Sequence, residues 1–447
     1  MPDDFQPIGH AVTFHDLRCQ DVIPAALLAR TEADMSSFMD AVKPIIEAVR
    51  DKGDAALHRF ARDLDNVSSL MPSLRVTEAE FASAIAAMEP QMIETLKFAI
   101  DNIRRFHEAQ KPEEMWMKEI RPGVWVGDRT VPIESVACYV PRGKGAFPSV
   151  VNMTAIPAVV AGVKRPIIIT PPGPDGLVDA GTLAAAQLAG ITEVYKSGGA
   201  QAVAAVAFGT ETVPKCQKIV GPGSLYVVAA KRLLAQNIDP GIPAGPSEAI
   251  ILADHTANGA LAALDLIIES EHGPDSSAYL VTESEAVAQA AIAALPGYWA
   301  AMEPKRAAFS RAVLTGPHGG VILLRDFDAA IRFTNDFAPE HLEILTAEPM
   351  ATLGRITNAG EILLGKYTPV TMGNYLLGPN AVLPTNGAAR TISPLSVFDF
   401  MKRISVAHVT APAYAGMAAH AERFARYEGF DGHARAVSGL RTRLLST

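Results

Sequence analysis

Cysteine is scarce in this chain: Cys19, Cys138 and Cys216 are the three in 447 residues. They are widely spaced, form no CxxC pair and have no histidine cluster beside them at metal-ligand spacing. That argues against a disulfide framework and makes a reducing cytoplasm the expected compartment. A basic surplus is also missing. There are 39 Lys and Arg against 48 Asp and Glu, a net charge of −9. A general nucleic-acid binder needs a basic face for the phosphates, so no nucleic-acid partner is expected. Long apolar runs are lacking too. Stretches such as Pro157–Val163 and Ala200–Phe208 fall short of the ~20 residues that cross a bilayer, so no membrane partner is expected. Met1-Pro2-Asp3-Asp4-Phe5 is acidic with no apolar run behind it, unlike a secretory leader. There is no GxGxxG, HExxH or P-loop, no fixed-period repeat and no low-complexity tract.

What is present is a globular composition, 49% hydrophobic and 19% charged, in a chain too long for one ordinary core. Apolar residues at helical spacing from Glu32 to Ala61 and from Thr77 to Ala109 predict helices, the second opening on the capping pattern Thr77-Glu78-Ala79-Glu80. Val124–Gly127 and Ser135–Val140 read as strands. Pro141–Pro148 is a turn-rich loop, followed by a helix of small residues to Val163. Then strand and helix alternate: Arg165–Thr170, a helix over 179–189, Glu193–Tyr195, a helix over 201–208, and Lys218–Val220. This alternation predicts a doubly wound α/β domain over 136–246. Further strands at Ala249–Leu252, Tyr279–Thr282 and Gly320–Leu324 predict a second α/β domain. The expected division is an N-terminal arm (1–34), a discontinuous first domain (35–135 with 247–388), the inserted domain (136–246) and a helical tail (389–447).

Two segments concentrate chemistry. Phe337-Ala338-Pro339-Glu340-His341-Leu342 sets a carboxylate beside an imidazole, a pairing suited to moving protons in both directions. Glu269-Ser270-Glu271-His272-Gly273-Pro274-Asp275 packs three more carboxylates and an imidazole into seven residues. Taken singly such residues are ordinary: most histidines are surface or satisfied core residues, and Gly198-Gly199-Ala200-Gln201 alone serves tight strand–helix packing.

In order along the chain, several blocks resemble the histidinol dehydrogenase family. These are Tyr139-Val140-Pro141, Phe147-Pro148-Ser149 with the following Ala155-Ile156-Pro157-Ala158, and Ser197-Gly198-Gly199-Ala200-Gln201-Ala202. Gly221-Pro222-Gly223 leads to Tyr226-Val227 and Lys231. Ala244-Gly245-Pro246-Ser247-Glu248, Glu271-His272, Pro339-Glu340-His341-Leu342, Gly378 with Asn380, Val382-Leu383-Pro384-Thr385, and Glu428-Gly429 with His433 and Ala436-Val437 complete the series. The resemblance covers about residues 30–440. It implies two similar, incomplete Rossmann-like domains with small terminal segments. It also implies an NAD-dependent zinc enzyme that oxidises a primary alcohol through an aldehyde to a carboxylate. The implied assembly is a homodimer whose C-terminal segment completes the partner's site.

The resemblance further implies roles for single residues. Glu340 is the base that activates water, and His341 exchanges protons with the alcohol and the hydrate. Tyr139 and Gln201 fall at cofactor contacts, and Ser224 stands where the family has Asn. Ser247, Glu269, His272, His341, Asn374, Glu428 and His433 fall at substrate contacts. Glu269, His272, Asn374 and His433 fall at the zinc ligands, where the family pattern is Gln, His, Asp and His. The two changes exchange a carboxylate and a carboxamide, so the summed ligand charge stays at −1, which favours a retained cation. The alternative is loss of the metal, with Glu269 in an ordinary ion pair. Ala381 replaces a family His, and Arg142 stands where the loop has a second glycine. Together these changes imply a pocket rebuilt for another small polar primary alcohol. L-histidinol itself is the alternative substrate, and a catalytically silent binding protein is a third reading.

Overall fold

The structure is a computed structural model that describes residues 12–20, 22–30, 35–69, 71–142 and 145–445. Parts of the expected N-terminal arm (1–11, 21 and 31–34), two residues of the turn-rich loop (143–144) and the end of the tail (446–447) lie outside the described residues. The chain forms two compact units, Met1–Gln110 with Ile133–Phe400, and Lys111–Pro132 with Met401–Thr447.

In the first unit the described strands form two parallel sheets. The smaller runs Val194–Lys196, Arg165–Thr170, Ser135–Tyr139, Lys218–Val220, in that spatial order. In sequence terms this is 3-2-1-4, the order of a Rossmann half, whose reversal point lies between the first and fourth strands. Ser135–Tyr139 and Arg165–Thr170 carry near-continuous apolar runs because both faces are covered. The larger sheet runs Phe14–Asp16, Gly319–Leu323, Ser277–Thr282, Glu248–Ala253, His341–Leu345, Glu361–Leu364, all parallel. One of its faces packs Ile251, Leu280, Val321 and Leu345 against Gly259–Ser270, Glu285–Ala301 and Pro304–Leu314. The other packs Ile250, Tyr279, Leu342 and Ile344 against Phe327–Phe337 and Leu27. This is the mixed α/β architecture of two incomplete Rossmann-like sheets that the sequence predicts.

The segments distribute differently from the predicted domains. Helix Ser36–Asp63 places Val42, Ile46, Val49, Leu57 and Phe60 in one core with Ala137, Ile167, Ile169 and Ile219. It therefore covers the smaller sheet and does not belong with residues 247–388. Residues Phe14–Asp16, predicted as part of an arm, form an edge strand pairing with Val321–Leu323. The single predicted helix over 77–109 is two. Glu78–Ala87 starts on the Thr77/Glu80 capping box and stops at Met88. Pro90 then starts Pro90–Gln110, at a first position where its missing N–H costs no helical bond.

The second unit contains a three-stranded antiparallel sheet, with Val124–Pro132 between Met115–Arg121 and Met401–Val409. It also contains helices Ala411–Tyr427, Asp431–Ala436 and Gly439–Leu445. The tail is thus not wholly helical. Met401–Val409 pairs along its whole length with the strand that begins at Val124, a non-local partner that spacing within the tail does not reveal. This unit leaves Trp116, Ile120, Ile404, Phe424, Tyr427, Phe430 and Leu444 exposed.

Candidate active site

A cavity of about 450 Å³ opens in the first unit between the two sheets. It takes the C-terminal edge of the smaller sheet, through Pro141, Arg142 and Pro222–Tyr226, and the N-terminal edge of the larger, through Gly245–Ser247, Ser276 and Glu340–His341. The smaller sheet presents its reversal point, where α/β sheets bind ligands. Gly221 makes this approach possible. Its φ is +113°, and a Cβ there would lie 2.2 Å from the Tyr139 carbonyl oxygen.

Glu340 and His341 enter from a turn. Helix Phe327–Phe337 ends on Ala338 in the left-handed conformation, φ +53°, a conformation costly for a residue with a Cβ and frequent at functional turns. Pro339 follows, and His341 begins the next strand. The Glu248 N–H donates to Glu340 Oε2 at 2.9 Å. The other Glu340 oxygen lies 3.9 Å from His341 Nε2. Behind the ring, His341 Nδ1 lies 3.0 Å from Glu361 Oε2. The parallel register sets these two residues opposite each other, His341 against Glu361. Gly373 leaves the room: a Cβ there would lie 2.8 Å from both Glu361 carboxylate oxygens. A carboxylate behind an acid–base imidazole fixes its tautomer and orientation. Glu361 was missed by sequence reasoning, because its proximity depends on strand register.

Burial sets the proton affinities. It pushes the Glu340 carboxyl up to about 8; the His341 charge opposes this, the Glu269 charge adds to it, and the Glu248 N–H opposes it. Burial alone would lower His341, but the Glu269, Glu340 and Glu361 carboxylates outweigh it and hold the ring up at about 10. Burial likewise pushes Glu269 upward, yet His272, His341, the Asn374 amide and the Ser247 hydroxyl hold its carboxyl below the usual value. In the resting site a negative Glu269 thus faces a positive His341, while Glu340 keeps its proton up to mildly alkaline pH.

Glu269, fully buried at the end of helix Gly259–Ser270, accepts from Asn374 Nδ2 at 2.8 Å. His272 Nδ1 lies 3.2 Å from the other Glu269 oxygen and 3.0 Å from the Ile268 carbonyl oxygen. That commits Nδ1 as a donor and leaves Nε2 as the ring's coordination atom, the arrangement that orients metal-binding histidines. Glu269, His272 and Asn374, three of the four residues that the resemblance implies as zinc ligands, thus lie together, with the two Glu269 oxygens engaged by His272 Nδ1 and Asn374 Nδ2. Among the described residues no group of three His, Cys, Asp or Glu side chains converges to hold a metal ion.

The structure brings Ser224, Ser247, Glu269, His272, Glu340, His341 and Asn374 to the cavity wall, together with Arg142 and Ala381. Tyr139 and Gln201 lie beside one another but off that wall. The Tyr139 hydroxyl accepts from the Gly199 N–H at 3.2 Å. Gln201 donates to Asp65 at 3.3 Å and keeps its side-chain oxygen buried and unpartnered. Glu428 caps helix Ala411–Tyr427, and His433, its ring tilted 46° to that of Phe430, lies on Asp431–Ala436. Both belong to the second unit.

Residues 28–442 match the family model for histidinol dehydrogenase. The chain belongs to the histidinol dehydrogenase family. A protein of Mesorhizobium japonicum called histidinol dehydrogenase homolog 2 is 61% identical over 97% of this chain and 99% of its own. The histidinol dehydrogenase of a Synechocystis species is 47% identical over 92% of this chain and 94% of its own. The crystal structure of histidinol dehydrogenase from Elizabethkingia anophelis superposes with a TM-score of 0.91 at 32% identity, covering 98% of this chain and 99% of that one. The resemblance carried by the sequence blocks is therefore borne out, as is the α/β fold. No helix of the described residues is long and apolar enough to cross a membrane.

Proposed function

We propose that this family member is an NAD-dependent, zinc-assisted dehydrogenase that takes a small polar primary alcohol through the aldehyde to the carboxylate. The observation that carries the reading is the buried Glu340–His341 pair, backed by Glu361, at the seam of two Rossmann-like sheets. When bound, NAD supplies the hydride acceptor and zinc, held through Glu269 and His272, a Lewis acid for the substrate oxygen. His341, once it has released its own proton, takes the hydroxyl proton in the first oxidation and the proton of the hydrate in the second. Glu340, once ionised, takes a proton from water as the water adds to the aldehyde carbon. The balance is one alcohol, one water and two NAD⁺ giving one carboxylate, two NADH and three protons. Tyr139, Gln201 and Ser224 are the proposed cofactor contacts. The Gln201 oxygen, buried without a partner, is the kind of acceptor that a ligand hydroxyl or amide satisfies.

The functional unit is a homodimer. The exposed apolar side chains of the second unit, Trp116, Phe424 and Tyr427 among them, favour burial against a second copy. Glu428 and His433 would then serve the site of the partner chain, His433 as a further zinc donor and Glu428 as a substrate contact.

The substrate reading rests on three departures at the cavity wall, Glu269, Asn374 and Ala381. A second reading, L-histidinol as substrate, is favoured by relatives called histidinol dehydrogenase at 42–47% identity; those near 60% carry only the name homolog. Metal content and NADH formation with L-histidinol and a panel of amino and hydroxy primary alcohols separate the two. Zinc near one per chain and two NADH per alcohol are expected. Accumulation of free aldehyde at one NADH per alcohol would sink the two-step reading, and fast turnover of L-histidinol would decide for the second substrate.

A further inference from the structure

Arg30 lies on the N-terminal segment, far in sequence from the acid–base pair, and it is buried. Its Nε and Nη2 donate to the two oxygens of Glu248 at 3.1 and 3.4 Å. Nη2 also donates to the Phe337 carbonyl and Nη1 to that of Leu28. The guanidinium plane stacks 3.5 Å from the Phe337 ring centroid. Glu248 in turn accepts from the Asn386 N–H at 2.7 Å, and its own N–H is the donor that fixes Glu340 Oε2.

One planar cation thus grips both ends of the turn that presents Glu340. The Phe337 carbonyl is where the chain leaves the helix, just before the left-handed Ala338. Glu248 is where the Glu340 carboxylate is held. The charge is also needed, because Glu248 would otherwise be an unpaired buried carboxylate beside Glu340, and burial already holds its carboxyl above the usual value. Lysine has no fork that could meet a carboxylate and a carbonyl at once. Retention of the segment itself has a separate cause, Leu27, which is buried in the core with Ile250, Tyr279 and Leu342.

We propose that Arg30 is a positioning residue for Glu340: its guanidinium locks the Phe337–Glu340 turn to Glu248 and so aims the Glu340 carboxylate. The assignment of its purpose rests on the reading of Glu340 as the base that activates water. The test compares amide hydrogen exchange in the wild-type dimer, Arg30→Met, Arg30→Lys and Leu27→Ala. In Arg30→Met, exchange at Glu248 and across residues 337–341 should quicken about tenfold or more, the scale of losing a hydrogen bond to a charged group, while the inner strands Ile250–Leu252 and Leu280–Val281 stay protected. Arg30→Lys should recover part of that protection, and added guanidinium ion should recover more in Arg30→Met. Unchanged exchange at these amides, loss of protection spread evenly over the sheet, or an equal opening in Leu27→Ala would each overturn the proposal. Exchange needs no substrate, so this result stands apart from the turnover test. With an alcohol that the turnover test identifies, Arg30→Met should slow aldehyde oxidation by the same factor and alcohol oxidation much less. Equal slowing of both steps would also overturn it.

Discussion

Replacing Glu340 by Gln should make the protein more stable and a worse catalyst at once. Glutamine has the same shape and can still accept from the Glu248 N–H that holds Oε2. What it lacks is a charge. The Glu340 carboxyl is raised from 4.5 to about 8, first by burial. The folded state therefore keeps a proton that the unfolded chain releases, so the contribution to stability falls as pH rises from 4.5 to about 8 and stays low above it. At about 1.36 kcal/mol per pH unit, that rise corresponds to roughly 5 kcal/mol at pH 8 and beyond. His341 returns part of it, because Glu340 is one of the anions that hold its ring up. A net gain of about 2–4 kcal/mol at pH 9, and a smaller one at pH 6, is the working figure. Thermal unfolding of EDTA-treated protein at both pH values measures it. Catalysis moves the other way: loss of a general base costs on the order of 10²–10⁴ in rate, and the loss should fall on aldehyde oxidation and far less on alcohol oxidation. Rapid-mixing assays started from each compound read the two steps separately. A variant less stable at pH 9 would refute the account of burial, and equal slowing of both oxidations would refute the role of Glu340.

Glu361→Gln removes the carboxylate behind His341, a hydrogen bond to a charged group worth about 1.5–3 kcal/mol. Because the His341 pKa is raised, its stabilisation is full below 6.5 and lost as pH rises through about 10; in Glu361→Gln that loss should begin at lower pH in a metal-free thermal scan. Glu343 and Asp265 are a buried carboxyl pair, and burial and then Asp265 push Glu343 up to about 9. Glu343→Gln should therefore fold normally and flatten the fall in stability between pH 4.5 and 9, which unfolding at a series of pH values checks. Glu269→Gln and Asn374→Asp should each weaken zinc retention and thermal stability, whereas the double exchange should restore both to within about 0.5 kcal/mol of wild type, a non-additivity expected only of residues in contact.

Much of the fold is legible locally. The capping box at Thr77, the buried run Ile167–Ile169 and the alternation of strand and helix over 136–246 each depend on neighbours within a few residues. Apart from the local break at Met88–Pro90, the predictions that failed are those where a partner lies far along the chain. Helix Ser36–Asp63 has an apolar face that fits either sheet, and only packing assigns it to the smaller one. Strand Met401–Val409 is exposed at most positions and lacks a clear alternating pattern; it is a strand because Val124–Pro132 supplies the ladder. The site divides the same way. Glu340 and His341 adjoin in sequence, and Glu269 and His272 share a helix end, so their clustering is readable. Glu361 and Arg30 reach the site by register and by a long-range fork, and neither carries a local signal.

The exchange of ligands acquires a physical sense from one distance. The resemblance implies Gln and Asp where this chain has Glu269 and Asn374, and here the two side chains meet, amide nitrogen to carboxylate oxygen, at 2.8 Å. An amide facing a carboxylate is preserved when both residues are swapped, and so is the sum of charge. What moves is the position of the charge, from the short helix Val370–Tyr375 to the last turn of Gly259–Ser270. A negative charge is disfavoured at a helix C-terminus, so Glu269 needs cationic company, and the His341 ring provides it. The anion now lies on the helix that also carries His272 and within the field of His341. Its charge therefore couples the site's cation-binding end to its proton-transfer end. Neutralising Glu269, by any cation that enters beside it, lowers the proton affinity of both His341 and Glu340. The imidazole loses an anion that stabilised its charged form, and the carboxyl loses an anion that opposed its own. Both changes favour the free-base forms that the proposed activation of alcohol and water would require.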